Sequence, residues 1–280
     1  MSGDRLPTVV IPVHNAPEEL ACCLRSVQST VGDRAPVVVI DDASTDAAVE
    51  RVLDRFRQAT GPNWVFRSNR ENLGFVATAN LGMRMGDGHV VLLNSDTEVT
   101  PGWLDGLRRC LDSDPRIATA TPWTNNGEIA SLPDFCAPSP PPPDPARVAE
   151  VIAACNAPVY PELPTAVGFC MAISRAAIER IGLFDAEVFG RGYGEENDFS
   201  MRAVAAGMRN VLCDDVYVVH IGGRSFGPLG LRPGEESMQR LLTLHPQYLE
   251  QVQAFISSDP LAPRRLQLLE ALARASVTLS

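Results

Sequence analysis

Residues 37–46 read VVVIDDASTD: four β-branched apolar residues run directly into two aspartates and a polar turn. An unbroken apolar run of this length is a strand covered on both faces. The stretch that follows puts Val49, Val52, Leu53 and Phe56 on one stripe of a helix. Strand, acidic turn and helix form the unit that builds a parallel sheet through helical crossovers. Upstream, Thr8 to Val13 reads as a strand and Pro17 to Ser29 as a helix, with Pro17 in its first turn and Leu20, Leu24 and Val27 facing a core. Downstream, the pattern predicts a strand over Trp64 to Arg67, a helix over Phe75 to Met85 weakened by Gly82, and a strand over Val90 to Leu93 that ends in Asn94-Ser95-Asp96. Thr100 and Pro101 have the chemistry of an N-cap and a first helical position, ahead of Leu104, Leu107 and Leu111, and Ile117 to Thr121 reads as a fifth strand.

The run PDFCAPSPPPPDP, residues 133–145, is too rich in proline for regular hydrogen bonding and separates two parts of the chain. Beyond it come an apolar strand from Ala166 to Ser174, a short helix through Ile178 and Ile181, an acidic helix start near Glu195 and a strand ending at His220. From Glu235 onward the pattern is helical, with Leu241, Leu242 and Leu244, then Leu266, Leu268, Leu269 and Leu272, marking apolar faces for core or dimer packing. The division expected is a first half over 1–123, a proline-rich insertion over 124–160, the second half of the same domain over 161–232, and a helical extension over 233–280.

The 280 residues hold 24 basic and 34 acidic side chains, a net charge of −10, which disfavours nucleic acid and anionic surfaces as partners. There is no lysine, so Schiff-base chemistry and a phosphate-loop lysine are excluded. Seven cysteines without C-x-x-C spacing argue against a disulfide framework and for a reducing compartment. No apolar run reaches the roughly 18 residues of a membrane span. The expectation is a cytoplasmic protein, with peripheral contact at the inner face of the cell membrane left open.

Ligands of an open α/β sheet collect outside the carboxyl ends of the strands. Three strands here end in Pro12-Val13-His14-Asn15, Asp41 to Asp46, and Asn94 to Thr97. Each alone reads as capping and turn chemistry; three on one sheet edge point to a binding site.

The motifs VVIPVHN, VVVIDDASTD, ENLGFVATANLG, VVLLNSDTEVTPGWL, GFCMAISRAAIERIGLFD, GYGEENDFSMR and VYVVHIGGRSF, in this order from Thr8 to Gly227, resemble the family 2 glycosyltransferases. The resemblance implies the GT-A fold: an α/β architecture with a mostly parallel central sheet flanked by helices. It also implies inverting transfer of a sugar from a nucleotide-diphosphate donor to a hydroxyl, as in polysaccharide or glycan assembly. The NSDT and GYGEENDF wording is closest to rhamnosyltransferase-like members. By the same resemblance Mn²⁺ or Mg²⁺ is held by Asp96, within a D-x-D-like Asn94-Ser95-Asp96 whose first acid is replaced, and by His220. Asp41 or Asp42 would meet the nucleobase, favouring UDP or dTDP, with Pro12, His14 and Asn15 completing the pocket. Asn72, Gly74 and Asn80 would approach ribose and phosphate, and Arg224 the diphosphate. Glu196 aligns with the catalytic base, a Glu where Asp is usual; Glu195 and Asp198 would contact acceptor or neighbouring backbone. Trp123, with Asn125 and Asn126, would line the acceptor side. A sugar-phosphate nucleotidyltransferase is the competing enzyme class, although Pro12-Val13-His14-Asn15 is not its glycine-rich basic loop. A non-catalytic nucleotide-sugar-binding module is the other alternative.

Overall fold

The computed structural model describes residues 5–155, 157–222 and 235–279. The first part alternates as expected: β1 (Thr8–Val13), α1 (Pro17–Val31), β2 (Val37–Asp41), α2 (Ala47–Ala59), β3 (Trp64–Ser68), α3 (Phe75–Met83) and β4 (Val90–Leu93). Then come β5 (Thr97–Val99), α4 (Trp103–Ser113), β6 (Ile117–Trp123), a single 3-10 turn (Glu128–Ala130), α5 (Pro145–Cys155), β7 (Glu162–Leu163) and β8 (Cys170–Ile173). The chain continues through α6 (Arg175–Ile181), α7 (Ala186–Phe189), α8 (Glu195–Ala205), β9 (Arg209–His220), α9 (Glu235–Leu244), α10 (Tyr248–Ser258) and α11 (Ala262–Arg274).

The sheet runs β3-β2-β1-β4-β8-β6-β9-β5, with β7 added to β9. β1 to β4 are mutually parallel, β9 is parallel to β6, and β5, β7 and β8 run against their neighbours. β8, from the second half of the sequence, lies between β4 and β6 of the first, so the halves share one sheet. The chain lays β2 and β3 on one side of β1 and β4 on the other. That reversal opens a crevice at the carboxyl ends of β1, β2 and β4.

The strands are apolar throughout because both faces are covered. On one face Leu20, Leu24, Val27, Leu53, Phe56, Leu104 and Leu107 pack on Val9, Ile11, Val37 and Val39. On the other, Val76, Ala79, Ile178, Phe189 and Phe199 pack on Val10, Val38 and Leu92. Each such side chain contributes about 1.5–3 kcal/mol of burial. Gly82, the weak point of the α3 pattern, is a packing requirement: a Cβ there would lie 2.1 Å from Val10 Cγ1, so the helix rests its backbone on β1.

Three expectations need correction. Thr100 and Pro101 do not open α4, which starts at Trp103 behind a left-handed Gly102; the Thr100 hydroxyl instead donates to the Tyr217 carbonyl and ties β5 to β9. The apolar run from Ala166 to Ser174 is a strand only over Cys170–Ile173. The proline-rich segment gives way to α5, whose Val148 and Ile152 are buried with Leu268 and Leu272 of α11. The leucines of the C-terminal helices are accordingly split: Leu241, Leu268 and Leu272 lie in the protein's own core, while Leu244 and Leu266 are exposed. Among the described residues no helix is long and apolar enough to cross a membrane.

Candidate active site

β5 pairs antiparallel with the end of β9, Thr97 opposite His220, and the Ile221 N–H donates to the Asp96 carbonyl at 3.0 Å. That pairing brings together two residues 124 positions apart in sequence: His220 Nε2 lies 3.6 Å from Asp96 Oδ1. Because a carbonyl only accepts, the 2.6 Å contact between His220 Nδ1 and the Asn126 carbonyl puts the ring proton on Nδ1. Nε2 is then the nitrogen that faces the carboxylate. A backbone carbonyl on the far nitrogen is the usual way of orienting a metal-binding imidazole. Burial opposes a charge on His220, yet the adjacent Asp96 carboxylate more than compensates and raises its pKa. The ring stacks on Phe169, with centroids 5.2 Å apart.

Asn125 holds the strand end in place. Its Oδ1 accepts the His220 N–H at 2.9 Å, and its Nδ2 donates to the carbonyls of His220 at 3.1 Å and Ser139 at 2.8 Å, which pins the proline-rich segment to the site. Asn94 contributes through its backbone, donating to the Phe169 carbonyl at 2.9 Å and accepting the Thr97 hydroxyl at 2.7 Å; Ser95 is buried beside it. Among the described residues no group of three or more His, Cys, Asp or Glu side chains is arranged to hold a metal ion. Asp96 and His220 stand together as one carboxylate and one imidazole donor. Adjacent ligands of an ion with bonds near 2.1 Å stand about 3 Å apart, so a 3.6 Å separation needs little adjustment.

On the other side of the crevice the polar strand ends build a scaffold. Asp42 accepts Asn69 Nδ2 at 2.7 Å and the Leu73 and Gly74 N–H groups at 2.8 Å each. Asp41 Oδ1 accepts the Ser44 N–H at 3.1 Å and hydroxyl at 2.5 Å, and no hydrogen bond among the described residues engages its Oδ2. Asn15, itself left-handed at φ 59°, takes the Thr45 and Asp46 N–H groups on Oδ1 at 2.9 and 3.0 Å. His14 lies within 3.1 Å of both Asn15 Nδ2 and Asn72 Nδ2, and Pro12 is in the β1 strand beneath. Of the two aspartates, Asp41 keeps the freer oxygen.

Two residues assigned to ribose and phosphate are occupied otherwise. Asn80 is buried with its amide clamped to the Phe184 backbone, Nδ2 to O at 2.9 Å and N–H to Oδ1 at 3.1 Å. Gly74 makes room for the protein's own chain: at φ +85° a Cβ would lie 2.7 Å from the Arg191 Cα. Trp123 is fully buried at the end of β6 among Leu212, Tyr217 and Leu261, which removes it from the acceptor surface. Arg224 lies outside the described residues.

α8 begins after a glycine-rich loop, with Gly194 left-handed and three acids in the first turn. They diverge in environment. Asp198 is buried and spent on structure, accepting Arg202 Nε at 2.7 Å and His245 Nε2 at 2.8 Å. Glu195 is 5% exposed, and its Oε2 is buried with no hydrogen bond among the described residues; burial, then the neighbouring Glu196, pushes its pKa well up. Glu196 is half-buried, its Cδ 3.9 Å from where a Cβ on Gly168 would stand. The next residue, Phe169, covers His220. Burial, helped by the Glu128 carboxylate, raises the Glu196 pKa. Glu128, Asn197, His245 and Tyr248, which surround this turn, carried no sequence signal: each reaches it by folding from another element or by a side-chain bond invisible to periodicity.

The chain matches the model of the glycosyl transferase family 2 over residues 8–182, well over half its length; Glu196 and His220 lie beyond the match. Glycosyltransferase GlyA of Streptococcus pneumoniae serotype 4 is 29% identical over 101 residues, which is 36% of this chain and 14% of that protein. Among solved structures, GalNAc-T7 with UDP, GalNAc and Mn²⁺ superposes with TM-score 0.64 at 17% identity, over 91% of this chain and 58% of that one. The mannosyltransferase PcManGT of Pyrobaculum calidifontis, with GDP-Man and Mn²⁺, gives 0.60 at 18% identity, over 96% and 74%. S. aureus TarS 1–349 with UDP-GlcNAc gives 0.57 at 16% identity, over 95% and 79%. The architecture is thus the GT-A fold of glycosyltransferases, and the chain belongs to glycosyltransferase family 2.

Proposed function

We propose that this protein transfers a sugar, with inversion, from a UDP or dTDP donor to a hydroxyl of a glycan or lipid-linked acceptor. The observation that carries the reading is the Asp96–His220 pair, 3.6 Å apart, together with a partly desolvated Glu196 beside Gly168, the residue before the Phe169 ring that covers His220. Solved neighbours hold Mn²⁺ together with UDP or GDP-mannose, which supports a divalent ion here. Asp96 and His220 would hold Mn²⁺ or Mg²⁺, which would supply Lewis-acid neutralisation of the leaving diphosphate in a lysine-free chain of charge −10.

The chain's own residues divide the remaining work. Asp41 Oδ2 accepts a base imide N–H, the basis for favouring uracil or thymine, and His14 with Asn72 frames the ribose side. Glu196 takes the proton of the acceptor hydroxyl as its oxygen bonds to the anomeric carbon and the bond from that carbon to diphosphate breaks. A carboxylate made more basic by burial suits that task.

A thermal-shift and calorimetric screen of UDP-, dTDP- and GDP-sugars, including dTDP-rhamnose, with and without Mn²⁺ tests the reading. Stabilisation by a UDP- or dTDP-sugar that requires Mn²⁺ and disappears in Asp96→Ala is expected. Binding indifferent to Mn²⁺ and to that substitution would overturn the anchor. Binding without turnover or slow donor hydrolysis would identify a non-catalytic module.

A further inference from the structure

The Asn197 side chain sits between the proposed base and the C-terminal helices. Its Nδ2 is 3.3 Å from Glu196 Oε1, and its Oδ1 accepts the Thr165 hydroxyl at 2.7 Å and the Tyr248 hydroxyl at 2.9 Å. The two ends of the amide are distinguished by these partners. A carboxylate only accepts, so the atom facing Glu196 is the NH₂ group, and the oxygen is left to two hydroxyls able to donate. Tyr248 is kept protonated, and so a donor, by burial and by the nearby Glu196 and Glu128 carboxylates. The turn that presents Tyr248 also presents His245 to Asp198, its carbonyl accepting the Tyr248 N–H at 3.0 Å. One C-terminal turn therefore grips two consecutive residues next to the base.

Two acids near Glu196 oppose its ionisation: Glu195 stands beside it on α8 and Glu128 approaches from the 3-10 turn, while the neutral phenols of Tyr193, in the preceding loop, and Tyr248, on α10, lie close by. Backbone N–H groups of Gly194 and Glu196 favour the charged form. The Asn197 amide adds a side-chain hydrogen bond to the carboxylate.

We infer that Asn197, locked by Thr165 and Tyr248, is a positioning residue that aims an amide N–H at Glu196 and holds its carboxylate ready to accept a proton, which makes α10 a working part of the site. The inference rests on the reading of Glu196 as base, and its test separates the two. In the full chain labelled with ¹³C at the Glu side-chain carboxyls, the Glu196 resonance is assigned by its loss in Glu196→Gln and titrated without substrate. Asn197→Asp, which turns the donor into a like charge, should raise the midpoint by about one pH unit or more. Tyr248→Phe, which frees the amide to turn, should raise it by a few tenths. Unchanged midpoints in both would overturn the inference while leaving the base assignment intact. Should Asn197→Asp fail to fold, the Tyr248→Phe midpoint decides alone. Full turnover by Glu196→Gln would sink the base assignment and, with it, the catalytic meaning of the network. In steady state the same variants should lower kcat with the donor Kd, measured by calorimetry, unchanged; a purely structural role would move the melting temperature and Kd together.

Discussion

At the end of β2 the Asp42 carboxylate gives both its oxygens to protein donors, whereas at the start of α8 Glu195 keeps one oxygen buried with none. Both residues are acids on the rim of one crevice, and both are buried. The difference lies in when the supporting groups are supplied. Donors fixed by the fold turn an acid into a clamp for the loop around it. An acid left short of donors has its proton affinity raised and its reactivity kept in reserve. On the proposed function, the donor-side rim is thus built for shape and the α8 rim for chemistry.

The largest expected effect breaks that contrast on the chemical side. Glu196→Gln should lower turnover about 10²–10⁴-fold, the usual worth of a general base, while donor affinity by calorimetry stays within a factor of two or so. A matching loss of binding would move Glu196 from the chemical rim to the shape-forming one.

The donor-side aspartates sharpen the contrast. Asp42→Ala strips the acceptor from Asn69 and from the Leu73 and Gly74 N–H groups, and chemical denaturation should show a loss of about 3 kcal/mol. Asp41→Ala loses the Ser44 bonds alone, so about 1 kcal/mol is expected, with donor affinity reduced tenfold or more. Equal stability losses would erase the distinction between the two acids. Asp198→Asn, which weakens the Arg202 and His245 contacts, should cost about 2 kcal/mol and so behave like the donor rim despite its place in the acidic turn.

How much of this was legible in sequence follows the same division. β1, β2 and β4 were readable because strands buried on both faces must be apolar along their whole length, and α1 and α2 because one face must be. Asp96 and His220 were found as motif positions, but their 3.6 Å meeting depends on a β5–β9 pairing that no local pattern encodes. Asn80 and Gly74 were misjudged because an amide that clamps the Phe184 backbone, and a glycine that admits Arg191, have the composition of a ligand site. α5 was hidden by the proline run before it, although Pro145 at its start and Val148 and Ile152 four apart were available signals. The contact of Tyr248 with Asn197, 51 residues apart, had no sequence signature.

The smallest expected effect belongs to Glu195, and its sign depends on pH. The buried carboxyl has a folded-state pKa well above its ordinary value of 4.5, so in the range above 4.5 the folded protein retains a proton that the unfolded chain has released. More protons bound in the folded state means that stability falls as pH rises through this range, by up to about 1.4 kcal/mol per pH unit until the folded-state pKa is passed. Below pH 4.5 both states are protonated and the penalty is absent. Glu195→Gln keeps the shape and removes the charge. It should therefore raise stability by about 1–2 kcal/mol at pH 7 in denaturant titrations, change it little at pH 4, and flatten the decline between the two. An equal effect at both pH values would mean that Glu195 is satisfied in the folded state, and the α8 rim would then hold one acid with a raised pKa, Glu196, instead of two.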